Sequence, residues 1–457
     1  MFPAKVLARH QLGGTSGSGS IVKIFNQESS DAARYRLGRE VLGPALADFA
    51  WLLLLAARRD GVTRLAFVSR DGELLLRVTE LACRNLPWPS PELDYVHLSR
   101  VSTALASEPE FGVKSLRAAN KVRAGNATVR SLLAYFGLDA NLVERELADH
   151  GLSPHASIRG PDLLDAFLSD PRIEEWIGYQ RQIKTTMLRA YLEQHRVLGN
   201  PACALVDIGW HGSIPNNLAK AFPDEWAGTR PRTYYFSYWA EAEDILSQTT
   251  SIVGLISDRR RASNTLEAAP HYLAFLLESI CRAADATVVA YQQNSCGEIA
   301  PVLAGGAPQR HSELAGEKWR APIREGILDC IRTRSEDYFA DDGHETRRRL
   351  ATQKRLWRLA FFPTKGELAA ATGLVHTEGH RPDWSRPLID PVLPNPLRSP
   401  RLWLHGLSSP WRSGYIAASG GALFSIAYML FESILTMLPT STRRSVENVT
   451  RRWGRLP

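Results

Sequence analysis

The stretch FVSRDGELLLRV, residues 67–78, changes character in its middle. Phe67 and Val68 end an apolar run, TRLAFVS (63–69), with the length of a buried strand. Glu73 opens ELLLRVTELACRNL (73–86), in which apolar residues recur at helical spacing. Ser69-Arg70-Asp71-Gly72 lies between, where chain direction must reverse. A second passage repeats the pattern: PACALVDIGWHGSIPNNLAKAF (201–222) runs from an apolar strand through Gly209 and Gly212 into a helix. Strand, tight loop and helix, used twice, are the units of a parallel α/β sheet.

The flanking segments fit that reading. RYRLGREVLGPALADFAWLLLLAARRDG (34–61) is a Leu- and Ala-rich helix that closes at Asp60-Gly61. LDYVHLS (93–99) predicts a second strand ending in Ser99-Arg100, and RTYYFSYWA (232–240) and SIVGLIS (251–257) predict further ones. ATVVAYQQ (286–293) follows the helix HYLAFLLESICRAA. TVRSLLAYFG, ANLVERELADHG, GPDLLDAFLSD and EEWIGYQRQIKTTMLRAYLEQH space their apolar residues by three and four. They form a helical insertion between two halves of one sheet. The expected fold is α/β, a Rossmann-like, mostly parallel sheet with a helical insertion and a C-terminal helical, basic tail.

The chain divides into a Gly/Ser-containing leader (1–30), a first α/β half (31–112), the insertion (113–200) and a second α/β half (201–300). A helical region with the basic helix ETRRRLATQKRLWRLAFF (301–381), a Pro-rich connector (382–412) and an apolar, then basic tail (413–457) complete it. A length of 457 residues exceeds one core, and 44% hydrophobic with 23% charged residues excludes a disordered chain. Cys83, Cys203, Cys281, Cys296 and Cys330 form no C-x-x-C pair and read as reduced thiols of a cytoplasmic protein. The first residues lack the apolar core of a secretory signal, so the sequons at Asn126 and Asn448 read as chance matches.

The net charge is +7, and seven Arg against two Glu from Arg401 onward supply +5 of it. IAASGGALFSIAYMLFESILTML (416–438) has the length of a membrane span, interrupted by Glu432 and followed by Arg443, Arg444, Arg451 and Arg452. It reads as a packed helix, as a peripheral attachment to an anionic inner-membrane surface, or as a span. A basic tail that alternates with apolar residues, not with exposed aromatics, does not suit nucleic acid.

In parallel α/β sheets ligands bind at the carboxyl ends of the strands. Gly72, Gly209 and Gly212 let backbone approach a ligand there, and each loop leads into a helix N-terminus that favours phosphate. Asp71 and Asp207 suit an acid, a base or a Mg2+ ligand, and His211 suits proton transfer. Arg70 and Arg100 suit phosphate, and Ser213 opens the helix after the second loop. The competing structural roles are a helix cap for Asp71, ion pairing for the arginines, a surface position for His211 and plain packing for Trp210, which otherwise offers a stacking face for a sugar or base. No phosphate-binding G-x-x-x-x-G-K-[ST], H-E-x-x-H or G-x-S-x-G motif occurs.

Two known chemistries use comparable loops. Haloacid-dehalogenase (HAD) phosphatases end their first strand in D-x-D-G, with the first Asp as nucleophile; here Ser69 takes that place, which argues against phosphatase activity. Type I phosphoribosyltransferases run a strand into two acids and a Thr/Gly loop; here Ile208 replaces the second acid. Taken together, LGPALADFAWLL, FVSRDGELLL, YVHLSR, LVDIGWHGSIPNNL and LLESICRAADATVVAY, spread over Arg34 to Tyr291, resemble a region of large bacterial proteins described as HAD-family hydrolases of surface-polysaccharide gene clusters. In that group the region follows a HAD domain, which is expected to be missing here.

The resemblance implies a part in capsule or lipopolysaccharide assembly, and carries over Arg70, Asp71, Gly72, Arg100, Asp207, Gly209, Trp210, Gly212 and Ser213. The expected function is binding of a phosphorylated sugar, nucleotide sugar or lipid-linked glycan phosphate, as a glycosyl- or phosphosugar transferase, near a polyprenyl phosphate. The alternatives are a phosphoribosyltransferase-like enzyme and a non-catalytic adaptor that recruits a partner glycan enzyme.

Overall fold

The computed structural model describes residues 27–108, 128–156, 166–229, 231–239, 251–258, 264–304, 307–334, 336–340, 344–378 and 381–437. Residues 1–26 of the leader, the sequon asparagines Asn126 and Asn448, and Arg443, Arg444, Arg451 and Arg452 lie outside them, while the end of the expected leader, from Gln27, already belongs to a helix.

Five strands, β1 (Arg64–Val68), β2 (Glu92–Val96), β3 (Cys203–Trp210), β4 (Arg232–Tyr238) and β5 (Ser251–Asp258), form one sheet in the order β2-β1-β3-β4-β5. Every pairing in it is parallel. The apolar runs that predicted β1 and β3 are continuous because both faces of these strands are covered. Leu65, Phe67, Ala204, Val206 and Ile208 join the main core, while Ala66, Val68, Cys203 and Leu205 join a second cluster on the opposite face.

On the main-core side, α1 (Gln27–Arg36) passes through a π-helical turn at Leu37–Leu42 into α2 (Gly43–Arg59). The apolar stretch Ser30–Arg59 is long enough to cross a membrane, but 83% of its apolar window is buried in the protein, so it is a core helix. Its one deeply placed acid, Asp48, accepts hydrogen bonds from Thr352 Oγ1 at 2.6 Å and from the Tyr338 hydroxyl. The first loop leads into α3 (Gly72–Cys83), the crossover from β1 to β2.

The insertion stands between β2 and β3. It starts with the short α4 (Arg100–Ala104), adds helices at Val129–Tyr135 and Glu144–Asp149, and ends in α5 (Pro171–Gln194). Leu132, Leu133, Phe136, Leu147, Phe167 and Ile173 give it a core of its own, while Leu188, Tyr191 and Leu192 of α5 pack on the sheet. The second loop opens α6 (Ser213–Ala221), and α7 (Ala274–Cys281) follows β5.

Beyond this point the arrangement is one that periodicity does not predict. ATVVAYQQ supplies β6 (Val288–Gln293), which pairs antiparallel with β7 (Ile299–Leu303) and not with the central sheet. α8 (Ala307–Arg332) packs against α1, and a second hairpin, β8 (Val375–Glu378) and β9 (Arg381–Pro387), lies after α9 (Glu345–Phe361).

The basic face of α9 is used inside the protein. Arg348 lies over the Trp51 ring at 4.2 Å, Arg349 Nε donates to the Leu255 carbonyl, and Gln353 Nε2 donates to that of Ile256. The Pro-rich run contains the helix α10 (Pro400–Gly406), pinned by Trp403 Nε1 to Ser419 Oγ at 2.8 Å. That serine belongs to α11 (Arg412–Met437), which kinks at Gly421.

Replacing Asp48 by Ala leaves the buried Thr352 hydroxyl and the Tyr338 hydroxyl without their acceptor. Loss of hydrogen bonds to a charged group at this depth lowers stability by about 3 kcal/mol, to be read from urea unfolding midpoints.

Candidate functional site

The strand order 2-1-3-4-5 reverses direction between β1 and β3, which is where doubly wound sheets leave a crevice. The register shows how it opens. β1 pairs with β3 only as far as Phe67 opposite Val206, whereas β3 continues along β4 to Trp210 opposite Tyr238. β1 therefore parts from β3 one residue before Asp207 while it stays paired with β2 to Val68, and the two polar loops follow on either side of this divergence.

Local bonds hold the first loop. The Ser69 N–H donates to the Val96 carbonyl at 2.9 Å and its Oγ to the Leu98 carbonyl at 3.0 Å. The Ala283 N–H, just past α7, donates to the Arg70 carbonyl at 3.1 Å. Ser99 caps α4 together with Ser102, and Ser99 Oγ also donates to the Val288 carbonyl at 2.6 Å.

In the second loop Gly209 has φ 131°, and a Cβ there would meet the Ser237 carbonyl oxygen at 2.0 Å. Gly212 is left-handed at φ 74° and caps α6, whose first residue is Ser213. The Ser69–Arg70 and Gly209–Trp210 peptide bonds are cis.

Three acids share one electrostatic environment. Burial, followed by the charge of Asp71, raises the Asp207 carboxyl well above the ordinary carboxylate range; Glu278 raises it further, and Arg100 and the Ile208 N–H oppose the shift. Asp207 nonetheless keeps part of its surface open, as a residue lining a recess does. Glu278, on α7, is pushed up to about 7 by burial first and Asp71 second, with Arg282, Arg100 and a bond from Trp210 pulling the other way. Trp210 Nε1 donates to Glu278 Oε1 at 2.7 Å, and His376 Nδ1 of β8 lies 3.6 Å from Glu278 Oε2. Tyr95 of β2, shifted upward by burial, responds to Asp285, Asp71, Arg70 and Asp207 as well. Its buried hydroxyl has no hydrogen-bond partner among the described residues.

The expected residues divide accordingly. Arg70, Asp71, Arg100 and Asp207 act on one another's surroundings, and Trp210 joins them through Glu278. Gly72, Gly209, Gly212 and Ser213 supply the turns and helix starts. Asp71 makes no capping bond to α3. His211 is exposed, with Nδ1 3.1 Å from the Trp239 carbonyl, on the rim of the crevice beside β4. Glu278, Arg282, Tyr95 and His376 were not singled out by sequence reasoning. The first two had a signal: Glu278 and Arg282 are four apart, one turn of the otherwise apolar helix AFLLESIC and its end.

A cleft of about 460 Å³ adjoins the loop, lined by Glu73, Arg77, Ala283, Asp285, Glu317 and Arg324 among others. Buried Arg324 pairs with Glu73 and donates to the Arg282 carbonyl, tying α8 to the start of α3. Among the described residues no three imidazole, thiol or carboxylate groups are arranged to hold a metal ion.

The fold is that of a doubly wound α/β protein, with Asp71, Asp207 and Glu278 close to the switch point of its sheet. Neither a family model nor a curated protein matches the chain.

Glu278 has an ordinary value of 4.5 and a folded value of about 7, so the fold binds the extra proton between them. Stability therefore falls as pH rises from about 4.5 to about 7 and is level beyond. Glu278→Gln keeps an oxygen to accept from Trp210 and removes this dependence. Relative to the parent it gains stability across that window, up to about 3 kcal/mol above pH 7, measured by urea unfolding at a series of pH values.

Proposed function

We propose that the crevice between β1 and β3 binds a phosphorylated sugar, as a nucleotide sugar or a lipid-linked glycan phosphate, in the assembly of a bacterial surface polysaccharide. The observation that carries this reading is the shared electrostatic environment of Asp71, Asp207 and Glu278 with Arg100 at the ends of adjacent parallel strands. Carboxylates suit sugar hydroxyls, and Arg70 and Arg100 suit the phosphate. A carboxyl that holds a proton near neutrality can act as general acid toward a leaving oxygen. In this reading Glu278 or Asp207 takes that role, and Trp210, engaged by Glu278, forms a wall of the crevice. His211 stands at the rim, where an acceptor enters.

The Ser69 hydroxyl donates to the Leu98 carbonyl, which favours a binding or transfer reaction over one with a nucleophile at this position. The likeness to the polysaccharide-associated HAD proteins supplies the glycan, and a lipid-linked ligand would put the protein at the inner face of the cytoplasmic membrane.

Isothermal titration with a uridine-diphosphate hexose and with a short-chain polyprenyl phosphate tests this. Binding of either weakens at least about tenfold, ~1.4 kcal/mol, in Asp207→Asn and in Arg100→Gln, and is unchanged in Arg347→Gln, an exposed cation of α9. Absence of binding by the parent protein sinks the reading. Magnesium-dependent binding of ribose-5-phosphate 1-diphosphate in their place selects the phosphoribosyltransferase-like alternative. An inert crevice in a protein that co-purifies with a glycan enzyme selects the adaptor.

A further inference from the structure

The helix α11 has two apolar faces, and only one of them is covered. Toward the protein, Ser425 and Leu435 are buried, Tyr428 and Met429 pack on the main core, and the Tyr428 ring lies 6.0 Å from that of Phe361 in α9. Glu432, the acid that interrupts the apolar run, belongs to this inner face and accepts a hydrogen bond from the Tyr272 hydroxyl at 3.2 Å. The outer face carries Leu423, Ile426, Leu430 and Ile434 at spacings of three and four, with Phe431 beside them. Leu423 is 74% exposed, Leu430 53% and Ile434 61%. Ala422 and Ala427, also exposed, continue the stripe, so it contains no hydrogen-bonding side chain.

A helix on the surface of a water-soluble body turns polar residues outward. The contrast within this chain is direct: 83% of the apolar window in Ser30–Arg59 is buried, against 22% of that in Arg412–Thr436. Contacts between proteins carry roughly one hydrogen bond per 100–200 Å², and the exposed side chains of this stripe can make none. Hydrocarbon asks for no such bonds.

The neighbourhood is cationic. Exposed Arg398 and Arg401 stand beside exposed Leu397 and Leu402 at the start of α10, and residues 438–457, immediately after the helix, carry five Arg against Glu447. From Leu423 to Ile434 the stripe is about 16 Å long, short of the roughly 30 Å hydrocarbon core, and its other side is occupied by α9.

We infer that the outer face of α11 lies in the interface of an anionic lipid bilayer, parallel to its plane, with the exposed Arg398 and Arg401 beside it as cationic partners for the headgroups. Apolar burial and cation attraction act together in such attachment. This deepens the membrane-side placement given above, but it is argued from α11 and does not depend on the glycan ligand.

The full-length protein is sedimented with phosphatidylcholine vesicles containing one-third phosphatidylglycerol and with phosphatidylcholine alone. It partitions to the anionic vesicles, at least about fivefold less at high salt, and alkaline carbonate releases it. The triple variant Leu423→Glu/Leu430→Glu/Ile434→Glu partitions at least about tenfold less, while its unfolding midpoint and its titration at the crevice stay those of the parent.

As an independent readout, Leu430→Cys in a Cys296→Ser background carries an environment-sensitive dye, whose emission shifts to the blue when anionic vesicles are added. Failure of the parent to partition, equal partition of the triple variant, an unshifted dye or resistance to carbonate overturns the inference. So does a dimer of the parent that the triple variant abolishes while vesicles are ignored, which assigns the face to a second copy.

Discussion

Everything at the candidate site follows from where two parallel strands stop pairing. β1 and β3 are hydrogen-bonded from Arg64 opposite Cys203 to Phe67 opposite Val206, and then β1 turns away while β3 stays with β4. The separation leaves Asp207 just past the last shared pair, within electrostatic reach of Asp71. Burial of both strands on both faces makes the point of divergence rigid, because Phe67 and Val206 are locked in the main core on either side of it. α7 then closes one end of the gap, bringing Glu278 to Trp210 and Ala283 to the Arg70 carbonyl.

The parts of this arrangement that are local in the chain were legible in the sequence. The strand-loop-helix passages at 67–78 and 203–214 announce themselves by an abrupt change of period, and their glycines stand where the backbone has no room for a side chain, as Gly209 shows against Ser237. The helical insertion is equally plain, because each of its helices carries its own apolar stripe. What could not be read is anything decided by distant packing. ATVVAYQQ has the composition of a central strand, yet it forms a hairpin with β7. Glu278 sits in an apolar helix, and only the fold reveals that this helix ends beside the first loop. His211 and Trp210 are adjacent, and only coordinates show that the indole turns to Glu278 while the imidazole stays at the surface.

The acid cluster is costly to keep, since burial and mutual repulsion both raise the proton affinity of its members. The protein offsets that cost only in part, with Arg100, Arg282 and the Trp210 indole. Elsewhere its buried charges are more fully matched: Arg64 of β1 meets both Glu92 and Asp94 of β2, and Asp94 also meets His195 at 2.8 Å. At the other end burial and mutual repulsion raise the proton affinity of Asp207 and Glu278 despite Arg100 and Arg282, and carboxyls perturbed in this way cluster at functional sites.

The chain ties its early and late parts together at this same edge. Ser99 bonds to Val288, the Tyr291 hydroxyl bonds to the His97 carbonyl, and Arg70 accepts from Ala283, so segments about two hundred residues apart share a wall. During synthesis the first loop emerges long before the residues that brace it. A nascent chain arrested before Val288 would lack the partners that the β6–β7 hairpin gives to Ser99 and to the His97 carbonyl, and this wall would be finished only once the hairpin has left the ribosome. Contacts of such long sequence separation also slow folding, so maturation of the crevice is set by the last of its walls to arrive.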